Sequence, residues 1–392
     1  MFTKELYPEL RLRWKKIQAQ MKEEQVDVCL LSSSVNLFYT AGRVFNGYVY
    51  LPQTGDPVFF VRRPAGLKDG PVIYIRKPED MVEKLIKLQL PLPEQIALEA
   101  DSLTYNEYIR LSSVFADARK QNASTLLRTV RAIKTPYEIA RMRESGLKHA
   151  AVYSHVEAVF EEGMTDDEMS IALEGIARRL GNLGIFRIFG SSMEIFMGSV
   201  LAGDNADNPS PYDFALGGEG LNTSLPVGAN GTLLRPGMTL MIDMGGNFTG
   251  YMTDMTRVFS VHELKSDLAK KAHQVSLDIQ AAVKEMARPG VAVKELYNLA
   301  VDIVKANHLE KYFMGHNQQA GFIGHGVGIE INEIPVIAPR SEHILQEGMT
   351  FALEPKFVIP GVGAVGIENT FVVHADRLEQ LTNYEEKIQE LL

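Results

Sequence analysis

The chain has 392 residues, 45% of them hydrophobic and 23% charged, with a formal net charge of −9 and one cysteine. This length suits two or three domains around a sizeable core, and the composition is that of an ordinary globular protein. An acidic balance with no Lys/Arg block speaks against a nucleic-acid or anionic-membrane surface, no apolar run approaches the ~20 residues of a membrane span, and a lone cysteine excludes a disulfide framework.

The N-terminal stretch places Leu10, Trp14, Ile17 and Met21 at helical spacing behind Pro8, which predicts an amphipathic helix rather than a signal peptide. Cys29, inside the apolar "VCLL", reads as a small buried hydrophobe. With no disulfides, a reducing, cytoplasmic setting is expected. The stretches "DVCLLSS", "GYVYLP", "PVFFVRR" and "IALEA" read as strands, and "PEDMVEKLIKLQL" and "TYNEYIRLSSVF" as helices. They predict an α/β domain over 1–132. Thr135, Pro136 and Glu138 then form a capping-box start, so a second domain is placed over 133–392.

That second part carries a coarse internal repeat. Helices over about 137–161 and 165–180 lead to the hairpin "LMIDMGGNFTGYMTDMTRVFSV". Helices over about 263–287 and 293–306 lead to the hairpin "MTFALEPKFVIPGVGAVGIENTFVV". Each hairpin carries two carboxylates in apolar strands. Folding the first between Phe248 and Thr249 sets Asp243 opposite Asp254, and folding the second at Gly361 sets Glu354 opposite Glu368. Like charges facing each other across a ladder are destabilising, so a compensating positive charge is required. Arg257 is close in sequence, but divalent cations would serve better, and His325 between two glycines supplies a neutral ligand. Between the hairpins, 202–222 is long for a structureless connection, and such loops are often functional.

These residues resemble a known family. "DMGGNFTGYMTDMTRVF", "GHGVGIEINEIP", "LEPKF" and "GIENTFVV" are similar to the metal-binding motifs of the pita-bread metallopeptidases: Xaa-Pro aminopeptidase, prolidase, methionine aminopeptidase and the related creatinase. The resemblance runs over about 130–375. It implies an α/β (α+β) chain, with a creatinase-like N-terminal domain followed by a pita-bread fold of pseudo-two-fold halves. It further implies two divalent metal ions, with Mn²⁺ the best match and Co²⁺, Zn²⁺ or Fe²⁺ alternatives. Asp254 and Glu368 would bridge them, Asp243 would chelate one, and His325 and Glu354 would hold the other. A metal-bridging hydroxide would attack the peptide carbonyl, with Glu354 shuttling the proton. The implied activity is hydrolysis of short peptides of Xaa-Pro dipeptidase or aminopeptidase type, by a homodimer.

The substrate shell departs from the family. Val227, sixteen residues before Asp243, and Asn332, seven after His325, stand where these peptidases carry histidines. Gly366 stands where prolidases tend to carry an arginine. Asn332 retains a hydrogen-bond donor for an oxyanion, whereas Val227 has none. His316 and Asp213 are candidate pocket residues that could replace lost contacts. These departures leave two other readings: a non-peptidase lyase or hydrolase acting on a small molecule, and a metal-binding protein with little catalysis. Tyr251 is expected to pack, Arg257 to support the carboxylates, and the remaining histidines, His149 among them, to be surface or satisfied core residues.

Overall fold

The computed structural model describes residues 5–67, 72–190 and 197–392. The chain divides into two compact units, residues 1–131 and 132–392.

The first unit contains α1 (Tyr7–Glu23), β1 (Val28–Leu31), α2 (Ser34–Ala41), β2 (Asn46–Pro52), β3 (Val58–Arg63), β4 (Val72–Tyr74), α3 (Asp80–Lys87), β5 (Gln95–Leu98), α4 (Tyr105–Val114), β6 (Arg119–Asn122) and α5 (Ser124–Ala132), whose last residue falls in the second unit. The strands form one mixed sheet in the order β4-β3-β2-β1-β5-β6. β1 runs antiparallel to β2 and parallel to β5. The expected stripe of Leu10, Trp14, Ile17 and Met21 is buried, and the Trp14 indole donates to the Thr40 carbonyl at 2.7 Å. Cys29 is fully buried, where the lack of water pushes its thiol pKa up. α2, β4, β6 and α5 lie outside the sequence expectation, being short or weakly patterned.

The second unit begins with α6 (Pro136–Tyr153), α7 (Val156–Val159) and α8 (Asp166–Arg179). Thr135 and Glu138 close the expected capping box. One helix was expected over 137–161; the chain instead breaks at Ser154–His155. Strands β7 (Gly198–Ala202), β8 (Thr239–Asn247) and β9 (Met252–Val261) follow, then α9 (Asp267–Met286) and α10 (Val293–Ala306). The remaining strands are β10 (Gly324–Gly326), β11 (Glu333–Val336), β12 (Thr350–Leu353), β13 (Lys356–Ile359), β14 (Gly363–Gly366), β15 (Asn369–Val373), β16 (Leu378–Gln380) and β17 (Gln389–Leu391). They assemble as β17-β9-β8-β7, as β11-β10-β12-β15-β16, and as the β13–β14 pair.

The repeat is visible in the cores. Residues of α6 and α8, such as Val152, Met169 and Leu173, cluster with Val200, Ile242 and Met255 of the first sheet. Residues of α9 and α10, such as Val275, Ile279 and Leu296, cluster with Phe351, Phe357, Val365 and Phe371. Each helix pair thus covers one hairpin, as the pseudo-two-fold expectation required. None of the described helices is long and apolar enough to cross a membrane.

The two hairpins fold differently from one another in detail. The second keeps its expected register: Lys356 pairs with Gly366 and Leu353 with Asn369, so Glu354 and Glu368 face each other between two ladders. In the first, the turn centre lies one residue further along than expected, which moves each pairing partner by two. Asp243 pairs with Thr256 and Gly245 with Asp254. The two aspartates therefore sit diagonally on one face rather than directly opposite. The turn is tighter than the expected 245–250, because β8 continues to Asn247 and β9 begins at Met252.

Candidate metal centre

The two hairpins meet at one point. Thr256 and Glu368 form an isolated antiparallel bridge, with Glu368 N–H donating to the Thr256 carbonyl at 3.2 Å. Asp254 N–H donates to Thr370 Oγ1 at 2.7 Å, and that hydroxyl donates back to the Asp254 carbonyl at 2.9 Å. Behind the bridge, Arg257 has no exposed surface. Its five N–H groups reach the carbonyls of Glu385 (2.9 Å), Thr256 (2.8 Å), Glu368 (2.9 Å) and Tyr384 (3.1 Å) and the Asn369 side-chain oxygen (2.9 Å). A guanidinium has five donors, and each is used here. The expected support role of Arg257 is therefore exerted through the main chain that carries the carboxylates. On the other side of the hairpin, the buried Tyr153 hydroxyl bonds the carbonyls of Ile242 and Met255, one on each strand. Tyr251 is buried as expected, with its hydroxyl 3.3 Å from Glu138 Oε1.

His325 reaches the same point from β10, where it pairs with Ala352 of β12. Its flanking glycines permit this close approach. A Cβ at Gly324 would stand 2.2 Å from the Ala352 carbonyl oxygen, and one at Gly326 would stand 2.3 Å from that of Ile334. His325 Nδ1 lies 3.3 Å from the Gly326 carbonyl, which can only accept. In the tautomer with the proton on Nδ1, that carbonyl is served and Nε2 is the nitrogen that presents a lone pair to the carboxylate side.

Nε2 stands 3.5 Å from Glu354 Oε1, 3.7 Å from Asp254 Oδ2 and 4.0 Å from Glu368 Oε1. These separations are too long for hydrogen bonds, and they suit donors that each stand about 2.0–2.2 Å from one shared cation. Glu368 Oε1 is buried with no hydrogen-bond partner, although Oε2 accepts from Thr256 Oγ1 at 2.8 Å. Burial, then the neighbouring carboxylates, raise the pKa values of Asp254 and Glu368 well above the usual carboxylate range. An orphaned oxygen, an imidazole lone pair and crowded carboxylates form a donor set that fits a divalent cation. Atoms of Asp254, His325 and Glu368 all lie within 4.8 Å of one another.

A second group, Asp243, Glu354 and Glu368, also converges within 4.8 Å. It faces a side chain that the sequence reading passed over. Lys356 Nζ lies 2.8 Å from Asp243 Oδ2, 2.8 Å from Glu354 Oε2 and 3.1 Å from Glu368 Oε2. Burial opposes its charge, but the three carboxylates outweigh burial and raise the ammonium pKa well above that of a free lysine. The signal was present in "LEPKF": read as one extended stretch, the two-residue spacing puts Lys356 on the face of Glu354, and the two stay together although the structure breaks the strand at Glu354–Pro355, between β12 and β13.

The remaining candidates are placed elsewhere. Asn332 is committed to the 182–190 segment: its amide donates to the Phe189 carbonyl at 2.8 Å and its oxygen accepts from Phe189 N–H at 2.7 Å. That bidentate pairing holds the side chain in place and takes one of the two amide N–H donors expected to serve an oxyanion. Val227 is buried in an irregular loop, its N–H on the Leu225 carbonyl at 2.9 Å. His316 bonds Asp207 at 3.0 Å and stacks on Tyr312, joining two loops. Asp213 is exposed in the loop between Tyr212 and Phe214. Gly366 has φ +122°, and a Cβ there would meet the Lys356 Cα at 2.9 Å, so an arginine at this position would be strained and crowded by Lys356.

His149 is not a surface residue. It is buried, its Nδ1 3.1 Å from Thr253 Oγ1, and burial followed by the charge of Arg257 lowers its pKa to about 3. The unfolded chain takes up this proton near the ordinary histidine value of about 6.5. Stability should therefore be lost as pH falls from 6.5 toward 3, by up to about 1.4 kcal/mol per unit from this group. His149→Gln should flatten the fall of Tm with acid over that window in calorimetry; an unchanged slope would mean that His149 is protonated in the native state.

A model for metallopeptidase family M24 matches residues 140–375, and one for the creatinase/prolidase N-terminal domain matches 13–133. The chain belongs to metallopeptidase family M24. It is 29% identical over 363 residues to an uncharacterized peptidase, YqhT, of Bacillus subtilis (strain 168), covering 89% of this chain and 91% of that one. It is 25% identical over 393 residues to an Xaa-Pro dipeptidase of Lactobacillus delbrueckii subsp. lactis, covering 96% and 98%. Its fold is that of an Xaa-Pro dipeptidase from Bacillus anthracis (TM-score 0.79, 24% identity, covering 97% and 100%). It also matches an X-Pro aminopeptidase from Thermotoga maritima MSB8 (TM-score 0.78, 20% identity, covering 95% and 99%). The mixed α/β architecture, a creatinase-type domain followed by the pita-bread fold, is thus that of these M24 proteins.

Proposed function

We propose that the chain is a divalent-metal-dependent hydrolase of short peptides, of the Xaa-Pro dipeptidase or aminopeptidase type. The observation that carries this is the convergence of Asp254, His325 and Glu368 around an orphaned, buried Glu368 oxygen. The substrate class comes from the relatives, several of which are named Xaa-Pro dipeptidases. Those names favour hydrolysis over the non-peptidase and non-catalytic readings.

Asp254, His325, Glu354 and Glu368 would hold the cation, with Mn²⁺ the first choice for a mostly oxygen donor set and Co²⁺, Zn²⁺ or Fe²⁺ alternatives. When bound, it supplies a Lewis acid for the peptide carbonyl and acidifies water. The protein's own groups do the rest. His325 keeps its lone pair inward through the Gly326 carbonyl. Glu354 directs Oε1 toward His325 while Oε2 is held by Lys356, so Oε1 is the group placed to take a proton and return it to the leaving amine. The Asn332 pairing with Phe189 fixes one segment beside the His325 strand without contributing a proton. A homodimer working in the cytoplasm completes this reading, and light scattering on the purified chain checks the first of these.

The test is turnover by protein loaded with each metal, on Xaa-Pro dipeptides, Xaa-Pro-Yaa tripeptides and Met-initiated peptides. Chelator-sensitive cleavage of the Xaa-Pro bond is expected. Failure to cleave any of them by protein that holds metal would overturn the peptidase reading.

A further inference from the structure

We infer that the Lys356 ammonium takes the place of one of the two cations implied by the carboxylate set, so that this chain binds a single divalent ion. The inference rests on the metallohydrolase reading and changes what that centre is made of.

Asp243, Glu354 and Glu368 each direct an oxygen at Nζ from 2.8 to 3.1 Å. A second divalent ion would need those same oxygens at about 2.0–2.2 Å. Its position would then fall within about 3 Å of the ammonium, where two cations repel strongly in a buried setting. The lysine cannot easily vacate the point: its side chain has no exposed surface, so withdrawal would bury an unpaired charge. Its backbone is fixed as well. Lys356 pairs with Gly366 in the β13–β14 ladder, and its carbonyl accepts from Met314 N–H at 2.8 Å.

The first group behaves differently. No ammonium or guanidinium lies within salt-bridge distance of Asp254 among the described residues, and Glu368 Oε1 has no partner. The site is therefore asymmetric: one half holds a built-in monovalent cation, and the other half has donors without one. Glu354 and Glu368 belong to both halves, each giving one oxygen to Lys356 and turning the other toward His325. Lys356 is thus a positioning residue for both, and Asp243 is its counter-ion rather than a metal ligand.

The experiment measures metal content and coupling in the full chain. After saturation with Mn²⁺ and desalting, wild-type protein should carry one ion per chain by elemental analysis. Its EPR spectrum should be the six-line pattern of an isolated Mn²⁺, without exchange coupling. Lys356→Met should carry two ions, show coupling, and gain more Tm from Mn²⁺ than wild type does. Asp243→Asn should leave the wild-type stoichiometry at one. Two coupled ions per chain in wild type would overturn the inference whether or not the Lys356 variant folds, and so would loss of the single ion in a folded Asp243→Asn protein. The peptidase reading is scored separately: cleavage by a two-ion protein would sink only this inference, and a one-ion protein that cleaves no peptide would sink only that reading.

Discussion

Asp254→Asn should lose bound metal and peptide turnover together while remaining folded. The substitution is isosteric, and the main chain at this position is held independently by Thr370, which both accepts from Asp254 N–H and donates to its carbonyl. What changes is the buried side chain. Oδ2 now faces the His325 lone pair at 3.7 Å; an amide there removes a negative charge and half of the acceptors. Losing even an outer partner of a metal ligand costs 10–100-fold in affinity, so losing the ligand should cost at least about 100-fold. Elemental analysis and turnover on an Xaa-Pro dipeptide read the two losses. Full occupancy in the folded variant would remove Asp254 from the ligand set. Destabilisation is not expected, since burial and neighbouring charge already disfavour the carboxylate in the absence of a cation.

Arg257→Lys should cost several kcal/mol of stability even though the charge is kept. The guanidinium serves four main-chain carbonyls and the Asn369 oxygen from a position with no exposed surface. An ammonium has three donors and no planar fork, so at least two of these acceptors would be left dry. Each unsatisfied buried acceptor costs about 1–3 kcal/mol, which sets the expected loss at roughly 2–6 kcal/mol. Arg257→Met, which removes every donor, should fall further or fail to fold. Urea denaturation measures both, and a loss under about 1 kcal/mol for Lys would show that the network is dispensable. Because Arg257 holds the Glu368 carbonyl, the surviving fraction of Arg257→Lys should also bind metal more weakly.

The elements and the carboxylates were legible for a simple reason: periodicity reports which face of an element is buried, and capping and turn residues report where it stops. The Leu10–Met21 stripe, the capping box at Thr135 and the Gly361 turn all formed where the chain predicts. Register in the first hairpin was less legible. Asn247 and the glycines allow several turns, and the two-residue shift in pairing came with β8 extending through Asn247. The pocket residues were the least legible. Asn332 as a donor to substrate and Asn332 as a clamp on Phe189 are identical in sequence, since only the position of the 182–190 segment separates them.

The sequence by itself determined the two hairpins, the identity of the carboxylates and His325 between its glycines, because strand alternation and glycine's small size act locally. Tertiary structure decided how those residues meet. The Thr256–Glu368 bridge brings together strands more than a hundred residues apart, and Arg257 locks the junction from behind. Only that packing gives one group of donors an orphaned oxygen and gives the other an ammonium. A buried carboxylate must find some positive charge, and the distance to Lys356, set by the fold, determines which carboxylates already have one.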